Sequence, residues 1–178
     1  MLKYFIIMIL IISNLLSAEN TIKAEQKNIV TEEINKEQLD DDNDGIANIN
    51  DECPNTPSGV CIDGKGCTQI IRRVINFNTE SFKINKNQTD TLNDIIEIAK
   101  ECYGYKIKIE GHTDSIANEK YNNILSKQRA LTIQKIFILH NIDKKRLSSS
   151  WFGESKPLST NVTDDGRSKN RRVEVIFK

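Results

Sequence analysis

The chain has 178 residues, a length that fits one domain with attached segments. Lysine plus arginine and aspartate plus glutamate each number 25, so the formal net charge is zero. This balance lacks the basic excess typical of nucleic-acid-binding proteins, and we expect no nucleic-acid partner. Hydrophobic residues make up 38% of the chain, and they concentrate at the extreme N-terminus and after residue 70.

The first 18 residues have the pattern of a secretory signal peptide. A lysine gives a positive start, residues 4–16 are almost entirely apolar, and Ser17 and Ala18 are small residues before a cleavage point. The apolar run is shorter than the ~20 residues that span a bilayer as a helix. We therefore expect export with cleavage after Ala18, and the alternative is an uncleaved membrane anchor. The first cysteine is Cys53, so we expect no lipid on the mature N-terminus.

The next segment, residues 19–39, is polar and carries only scattered apolar residues. Ile29 and Ile34 give it a weak helical period, which permits a short helix or a disordered linker. We interpret it as a polar tether between the signal peptide and the rest of the chain.

Residues 40–67 begin with alternating acidic side chains. Three aspartates stand two residues apart, a glycine that permits a tight turn follows them, and two further oxygen-bearing side chains come at three-residue steps. Hard oxygen ligands at such spacings suit Ca²⁺, which takes six to eight oxygen atoms. The distal glutamate of an EF-hand is missing, so that motif is not matched, and the alternative is a solvated acidic turn without metal. The candidate ligands are Asp40, Asp42, Asp44, Asn48 and Asp51.

Four cysteines in an exported chain argue for two disulfides rather than free thiols. Zinc is the competing interpretation, but gaps of seven, five and thirty-four residues do not form a zinc knuckle. The residues alone leave three pairings open. The four cysteines are Cys53, Cys61, Cys67 and Cys102.

From residue 70 onward, apolar residues follow a period of two in four stretches and a helical period in two. This order predicts an α/β (α+β) sandwich, a mixed βαβαββ sheet with its helices packed on one face. Trp151 is expected in the core, and the alternative is a platform on which a sugar stacks. The predicted strands are 71–78, 105–110, 147–152 and 172–177, and the predicted helices are 88–102 and about 118–140.

The candidate binding site lies between Gly111, which ends the second predicted strand, and Arg129. Residues 112–114 form a polar cluster, and Ser126 is predicted as the N-cap of a helix that carries Arg129 in its first turn. The Asp114 carboxylate and the Arg129 guanidinium would then face each other across a shallow pocket. Such a pair suits a ligand with an ammonium and a carboxylate group, such as an amino-acid side branch.

A series of short motifs in this part of the chain resembles the OmpA-like peptidoglycan-binding domain. The resemblance covers about residues 70–178 and implies that domain's βαβαββ fold. It also implies that Asp114 and Arg129 bind the diaminopimelate of cell-wall stem peptides. The motifs are GHTD at 111–114, YN at 121–122, LSKQRA at 125–130, FGESKP at 152–157 and NVTDDGRSKNRRVE at 161–174. The residues expected to shape the pocket are Thr113, Asn122, Leu125, Phe77 and Asn78.

Residues 40–67 resemble a thrombospondin type-3 repeat, a calcium-binding linker common in the OmpA-like family. Versions of this linker with two cysteines keep the positions of Cys53 and Cys67, which implies a second bond between Cys61 and Cys102. The rival pairing, Cys53 with Cys61 and Cys67 with Cys102, stays open. In both cases one bond would fasten the linker to the end of the first domain helix.

The sequence therefore predicts a non-catalytic module in the periplasm, associated with the outer membrane and cell wall. It would bind peptidoglycan non-covalently and tether the cell envelope to the wall, with outer-membrane proteins as further candidate partners. His112 beside Asp114 would make strand-end hydrogen bonds rather than act as a general base. Arg171 and Arg172 would hold the loop over residues 153–170 or pair with Glu154. The alternatives are a tether for a motor or secretion complex anchored in the inner membrane, and a cell-wall hydrolase with a metal triad or paired carboxylates.

Overall fold

The computed structural model describes residues 15–31 and 39–178. The first fourteen residues lie outside this range, and with them most of the predicted signal peptide. Residues 15–31 are helical and exposed. In the described ranges, no helix has both the length and the apolar character that crossing a bilayer requires.

The chain divides into two compact units. The first contains the described part of Met1–Asn55 together with Gly64–Gly66, and it holds the predicted calcium ligands. The second contains Thr56–Asp63 and Cys67–Lys178. The second unit carries all the strands of the sheet and the candidate binding site.

The second unit is built on a four-stranded mixed sheet in the order β1–β4–β2–β3. Strand β4 runs antiparallel to both neighbours, and β2 runs parallel to β3, which lies at one edge. This arrangement confirms the predicted fold class. The elements in chain order are β1 (Ile71–Asn76), α1 (Thr89–Glu101), β2 (Ile107–Gly111), α2 (Glu119–Leu139), β3 (Leu147–Trp151), α3 (Asp164–Asn170) and β4 (Arg172–Phe177).

The core lies between one face of the sheet and the two long helices. Val173 and Val175 of β4 pack in one buried cluster with Ile109 of β2, Ile95 of α1 and Phe137 of α2. Each of these side chains is fully buried, and burying one contributes about 1.5–3 kcal/mol. The alternation of apolar residues along β4 therefore places the helices on this face, as predicted.

The other face of β4 is buried as well, but it is polar. The Glu174 carboxylate accepts hydrogen bonds from Arg172 and from Arg72 of β1, each at 2.6 Å. The Nη2 group of Arg172 also donates to the Lys156 carbonyl at 3.4 Å. The prediction that Arg172 holds the loop after β3 is thus confirmed, whereas a pairing with Glu154 does not occur.

Helix α2 begins about two turns before the predicted N-cap, Ser126. Asn118 is its N-cap, with a side chain that accepts a hydrogen bond from Tyr121 N, so the helix starts there. Ser126 is instead buried in the middle of the helix, where its hydroxyl donates to the Asn123 carbonyl. A Cβ atom on Gly111 would collide with the Ser126 carbonyl, so the end of β2 and the middle of α2 lie in close contact.

Two further predictions need correction. Helix α3 lies in the stretch 153–170 that was predicted as a loop, and Thr163 caps it by accepting from Gly166 N. Its sequence DDGRSKN has no apolar residue, so hydrophobic periodicity gave no signal there. Trp151 was expected in the core but is 40% exposed, because it ends the edge strand β3.

A disulfide fastens the segment before β1 to the end of α1. Cys61 is bonded to Cys102 with a Cα–Cα distance of 5.2 Å, and none of the cysteines in the described residues is free. The bond excludes the rival pairing. The Tyr105 hydroxyl also lies 2.7 Å from the Cys61 carbonyl, and Gly104 N donates to the Gly59 carbonyl at 2.6 Å.

Candidate functional site

Arg129 is the most deeply placed member of the predicted site. Its guanidinium has no exposed surface and donates to the carbonyls of Ser81 (2.8 Å), His112 (2.8 Å) and Asn78 (3.0 Å). Within the described residues these bonds use three of its five N–H groups, which leaves two for a ligand. Burial lowers the pKa of Arg129 to about 10, while the nearby Asp114 opposes that shift, so the side chain is charged at neutral pH.

Asp114 follows β2 and is 6% exposed. Its carboxylate accepts a hydrogen bond from Arg171 Nη1 at 2.9 Å, and the Nε of Arg171 lies 3.3 Å from the Phe77 carbonyl. The acid therefore sits between two cations, bonded to Arg171 and close enough to Arg129 to influence its pKa. The sequence did not indicate this role for Arg171, because 57 residues separate it from Asp114.

The other predicted pocket residues fall into two groups. The first group lies near Asp114, and the second group lies on α2. The Phe77 ring lies 5.2 Å from the Arg129 guanidinium, and Thr113 is buried with a hydroxyl that has no hydrogen-bond partner among the described residues. Asn78 is exposed and exchanges amide hydrogen bonds with Asn85. These residues lie near the acid and its two cations.

Asn122 and Leu125 are both buried on α2. The Nδ2 group of Asn122 donates to the Glu154 carboxylate at 2.5 Å and to the Ala117 carbonyl at 3.0 Å. Asn122 is thus directed to the loop after β3 rather than presented to a ligand beside Asp114.

A hollow of about 260 Å³ opens beside Arg171, the hydrogen-bond partner of Asp114. Phe77, Asn78 and Arg171 line it, together with Lys169 and the amide side chains of neighbouring residues. Two cations and several amides favour a ligand that brings a carboxylate. We call this hollow the β1-end cavity.

His112 is almost fully buried, and its ring stacks on Phe152 with centroids 5.4 Å apart. Burial, and next the positive charge of Arg172, lower the pKa of His112 to about 4, so the ring is neutral at pH 7. Neither ring nitrogen has a hydrogen-bond partner among the described residues. The predicted strand-end hydrogen bonds of His112 are made by its backbone, which accepts from Arg129 Nη1 and donates to the Arg172 carbonyl.

The predicted calcium ligands lie in the first unit. Carboxylate oxygens of Asp40, Asp42 and Asp44 come within 4.8 Å of one another. One oxygen of Asp44 is buried and has no hydrogen-bond partner in the described part of the chain. Asn48 accepts from Asp41 N through its side-chain oxygen.

Asp51, the remaining predicted ligand, accepts from Cys53 N at 2.8 Å. Its carboxylate and that of Asp44 both approach Gly66, whose φ of +78° brings the backbone close to them. The arrangement of donors therefore fits a divalent cation at the three aspartates. A cation bound there would hold the acidic side chains together and would supply the positive charge that this set of ligands lacks.

The mixed sheet with its helices on one face defines an α/β module, and this module holds a buried acid between two arginines. The chain belongs to the OmpA family, whose model matches residues 76–171, more than half of its length.

Two curated relatives illustrate the likeness. Outer membrane porin F of Pseudomonas aeruginosa is 32% identical over 142 residues, which cover 76% of this chain and 41% of that protein. The peptidoglycan-associated lipoprotein of Buchnera aphidicola is 30% identical over 104 residues, 58% of this chain and 60% of that protein. The chain therefore spans less than two thirds of the length of these relatives.

Solved structures show the same fold. The peptidoglycan-associated lipoprotein from Burkholderia pseudomallei superposes with a TM-score of 0.57 at 21% identity, covering 60% of this chain and 90% of that one. The C-terminal domain of Helicobacter pylori MotB gives 0.55 at 28% identity, covering 59% and 83%.

Proposed function

We propose that this protein binds peptidoglycan non-covalently and tethers the cell envelope to the wall. Membership of the OmpA family supports the proposal, as does likeness to relatives named peptidoglycan-associated lipoprotein. The observation that carries it is the buried carboxylate of Asp114 held between Arg171 and Arg129. Family membership also agrees with binding rather than catalysis.

The ligand we propose is the free amino-acid end of diaminopimelate in the stem peptide. Its ammonium would take the place of Arg171 on Asp114. Its carboxylate would accept hydrogen bonds from Arg171 and from the two remaining N–H groups of Arg129. One buried ion pair is thereby exchanged for two, and the zwitterionic ligand leaves the net charge of the site unchanged. The β1-end cavity supplies room for the ligand beside Arg171.

The segment that follows β1 would control access. The carbonyls of Asn78 and Ser81 cover the Arg129 guanidinium, so a ligand reaches Arg129 past this segment. Phe77, whose ring lies against the guanidinium, would form the apolar wall, and Thr113 and Leu125 would shape the floor. We propose that Asn122 contributes indirectly, by fixing the loop after β3.

Retention on purified sacculi tests this assignment. Asp114→Asn and Arg129→Ala each remove a charge-assisted contact worth about 1.5–3 kcal/mol, so we expect retention to weaken about tenfold or more. Glu97→Gln is the matched control, because it removes a carboxylate from an exposed ion pair with Lys100 on α1, outside the cavity. Retention unchanged in both site variants, with their circular dichroism intact, would refute the assignment. Free diaminopimelate should compete, and lysine should not.

We also propose that Asp40, Asp42 and Asp44 hold a structural Ca²⁺ ion, with Asn48 and Asp51 completing the oxygen set. The close approach of the three carboxylates and the unpartnered oxygen of Asp44 support this proposal. Calorimetric titration of the full chain should show saturable Ca²⁺ binding that Asp42→Asn weakens. Equal weak binding of Ca²⁺ and Mg²⁺ by both proteins would contradict it.

For location, we propose the periplasm, with association to the outer membrane and its proteins, after cleavage behind Ala18. Likeness to the MotB domain at 28% identity favours one second candidate, a tether whose N-terminus stays in the inner membrane. The mass of the mature N-terminus separates the two. A start at Glu19 supports the first candidate, and an intact Met1 supports the second.

A further inference from the structure

A second cavity, of about 380 Å³, opens at the start of α2. It shares no lining residue with the β1-end cavity, and we call it the β3-end cavity. Its volume falls in the range of about 300–1,000 Å³ typical of small-molecule sites. The residues that line it are Glu119, Asn123, Trp151, Phe152, Glu154 and Ser155.

Trp151 gives this cavity an aromatic wall. The indole is 40% exposed at the end of the edge strand, although a side chain of this size normally buries most of its surface. Lys127 of α2 lies over one face, with its ammonium 4.8 Å from the ring centroid. This contact fixes the ring while much of its remaining surface is open to a ligand.

The polar lining is held in place by buried residues. Glu154 accepts a hydrogen bond from Asn122, whose amide is itself buried. Gly153 has a φ of +52°, and its N–H donates to the buried Ser126 hydroxyl at 3.0 Å. Thr113 N donates to the Gly153 carbonyl at 2.8 Å. The loop that carries Glu154 is therefore positioned before any ligand arrives, which lowers the entropic cost of binding.

The combination of these groups is the chemistry of saccharide recognition. The C–H groups of a pyranose carry slight positive charge and stack on the negative face of an indole. The carboxylates of Glu119 and Glu154 accept hydrogen bonds from neighbouring hydroxyls, and the Asn123 amide complements an acetamido group. Two carboxylates disfavour an anionic ligand, whereas a neutral N-acetylated sugar meets no such repulsion.

We propose that the β3-end cavity is a subsite for the N-acetylated glycan strand of the cell wall. The inference rests on the proposed function, because the wall polymer presents glycan and stem peptide together. Trp151 pairs in register with Gly111 of β2, three residues before Asp114. Asp114 and Trp151 therefore follow the same end of two neighbouring parallel strands, β2 and β3, and one polymer would contact both.

The chain has a single tryptophan, so the fluorescence of Trp151 reports on this cavity directly. We would titrate the full chain with tetra-N-acetylchitotetraose, a neutral tetrasaccharide of N-acetylglucosamine, and separately with a diaminopimelate-containing tripeptide, with calorimetry alongside. The tetrasaccharide should change the emission in a saturable way. Glu154→Gln and Trp151→Phe should each weaken its binding at least fivefold, and Trp151→Phe should leave tripeptide binding unchanged. Tyr103→Phe, an exposed aromatic outside the cavity, is the matched control.

The outcomes separate this inference from the proposed function. Tripeptide binding that Asp114→Asn abolishes, with no response to the tetrasaccharide, would overturn the glycan subsite alone. Tetrasaccharide binding that is equal in the wild type and both cavity variants would also overturn it. A tripeptide that quenches Trp151 in a Glu154-dependent way would assign the cavity to a peptide ammonium and refute the proposal. A saturable tetrasaccharide response without tripeptide binding would support the subsite and refute the diaminopimelate assignment.

Discussion

The buried imidazole of His112 should make this domain lose stability in mild acid. Its pKa falls from an ordinary value near 6.5 to about 4 in the folded state, because burial and Arg172 disfavour the charged form. The nearby carboxylates of Glu174 and Glu110 oppose this shift, and Lys156 adds to it. Since the folded pKa is the lower one, the contribution is fully present above pH 6.5 and is lost as the pH falls toward 4. A shift of about 2.5 units corresponds to about 3 kcal/mol.

Urea unfolding at several pH values between 7.5 and 4 measures this loss. The variant His112→Phe keeps a ring against Phe152 and removes the titrating group. Between pH 7.5 and 4, its free energy of unfolding should therefore decrease by about 3 kcal/mol less than that of the wild type. The exposed His140→Gln variant controls for the loss of one imidazole. Identical pH profiles for the wild type and His112→Phe would refute the reasoning.

Three further predictions concern stability, each measured by urea unfolding. Replacing Cys61 and Cys102 with alanine opens a loop of 41 residues and should cost about 4 kcal/mol; a loss below 1 kcal/mol would contradict this. Gly111→Ala forces a Cβ atom against the Ser126 carbonyl and should cost more than about 2 kcal/mol, whereas a neutral result would mean that the helix shifts freely. Thr163→Ala removes the N-cap of α3 and should cost about 1 kcal/mol, with Thr163→Ser restoring most of it.

The strands and long helices were predictable because they carry regular apolar periods. In β4, Val173, Val175 and Phe177 occupy every second position, and the predicted and observed bounds of that strand agree. This alternation also implied that the side chains between Val173, Val175 and Phe177 would be exposed. Arg172 and Glu174 are instead buried, because they neutralise one another under the loop after β3. A hydropathy pattern does not reveal such pairing.

The candidate site was predicted only in part. Asp114 and Arg129 are both buried near one another, but the direct partner of the acid is Arg171. Arg171 and Arg172 are neighbours in the chain, and adjacent residues at the start of a strand point to opposite faces. Which of the two reaches the acid depends on the position of β4, and that becomes known only when the sheet is assembled.

The hydrogen bonds of Arg129 bear on how this site can evolve. One guanidinium joins the chain after β1 to the end of β2, through carbonyls up to 51 residues away in sequence. A substitution at this position alters the backbone scaffold together with any affinity, so selection has little freedom there. Adaptation to a different wall composition would fall on side chains at the rim, such as Asn78 and Lys169, which can vary while the scaffold stays intact.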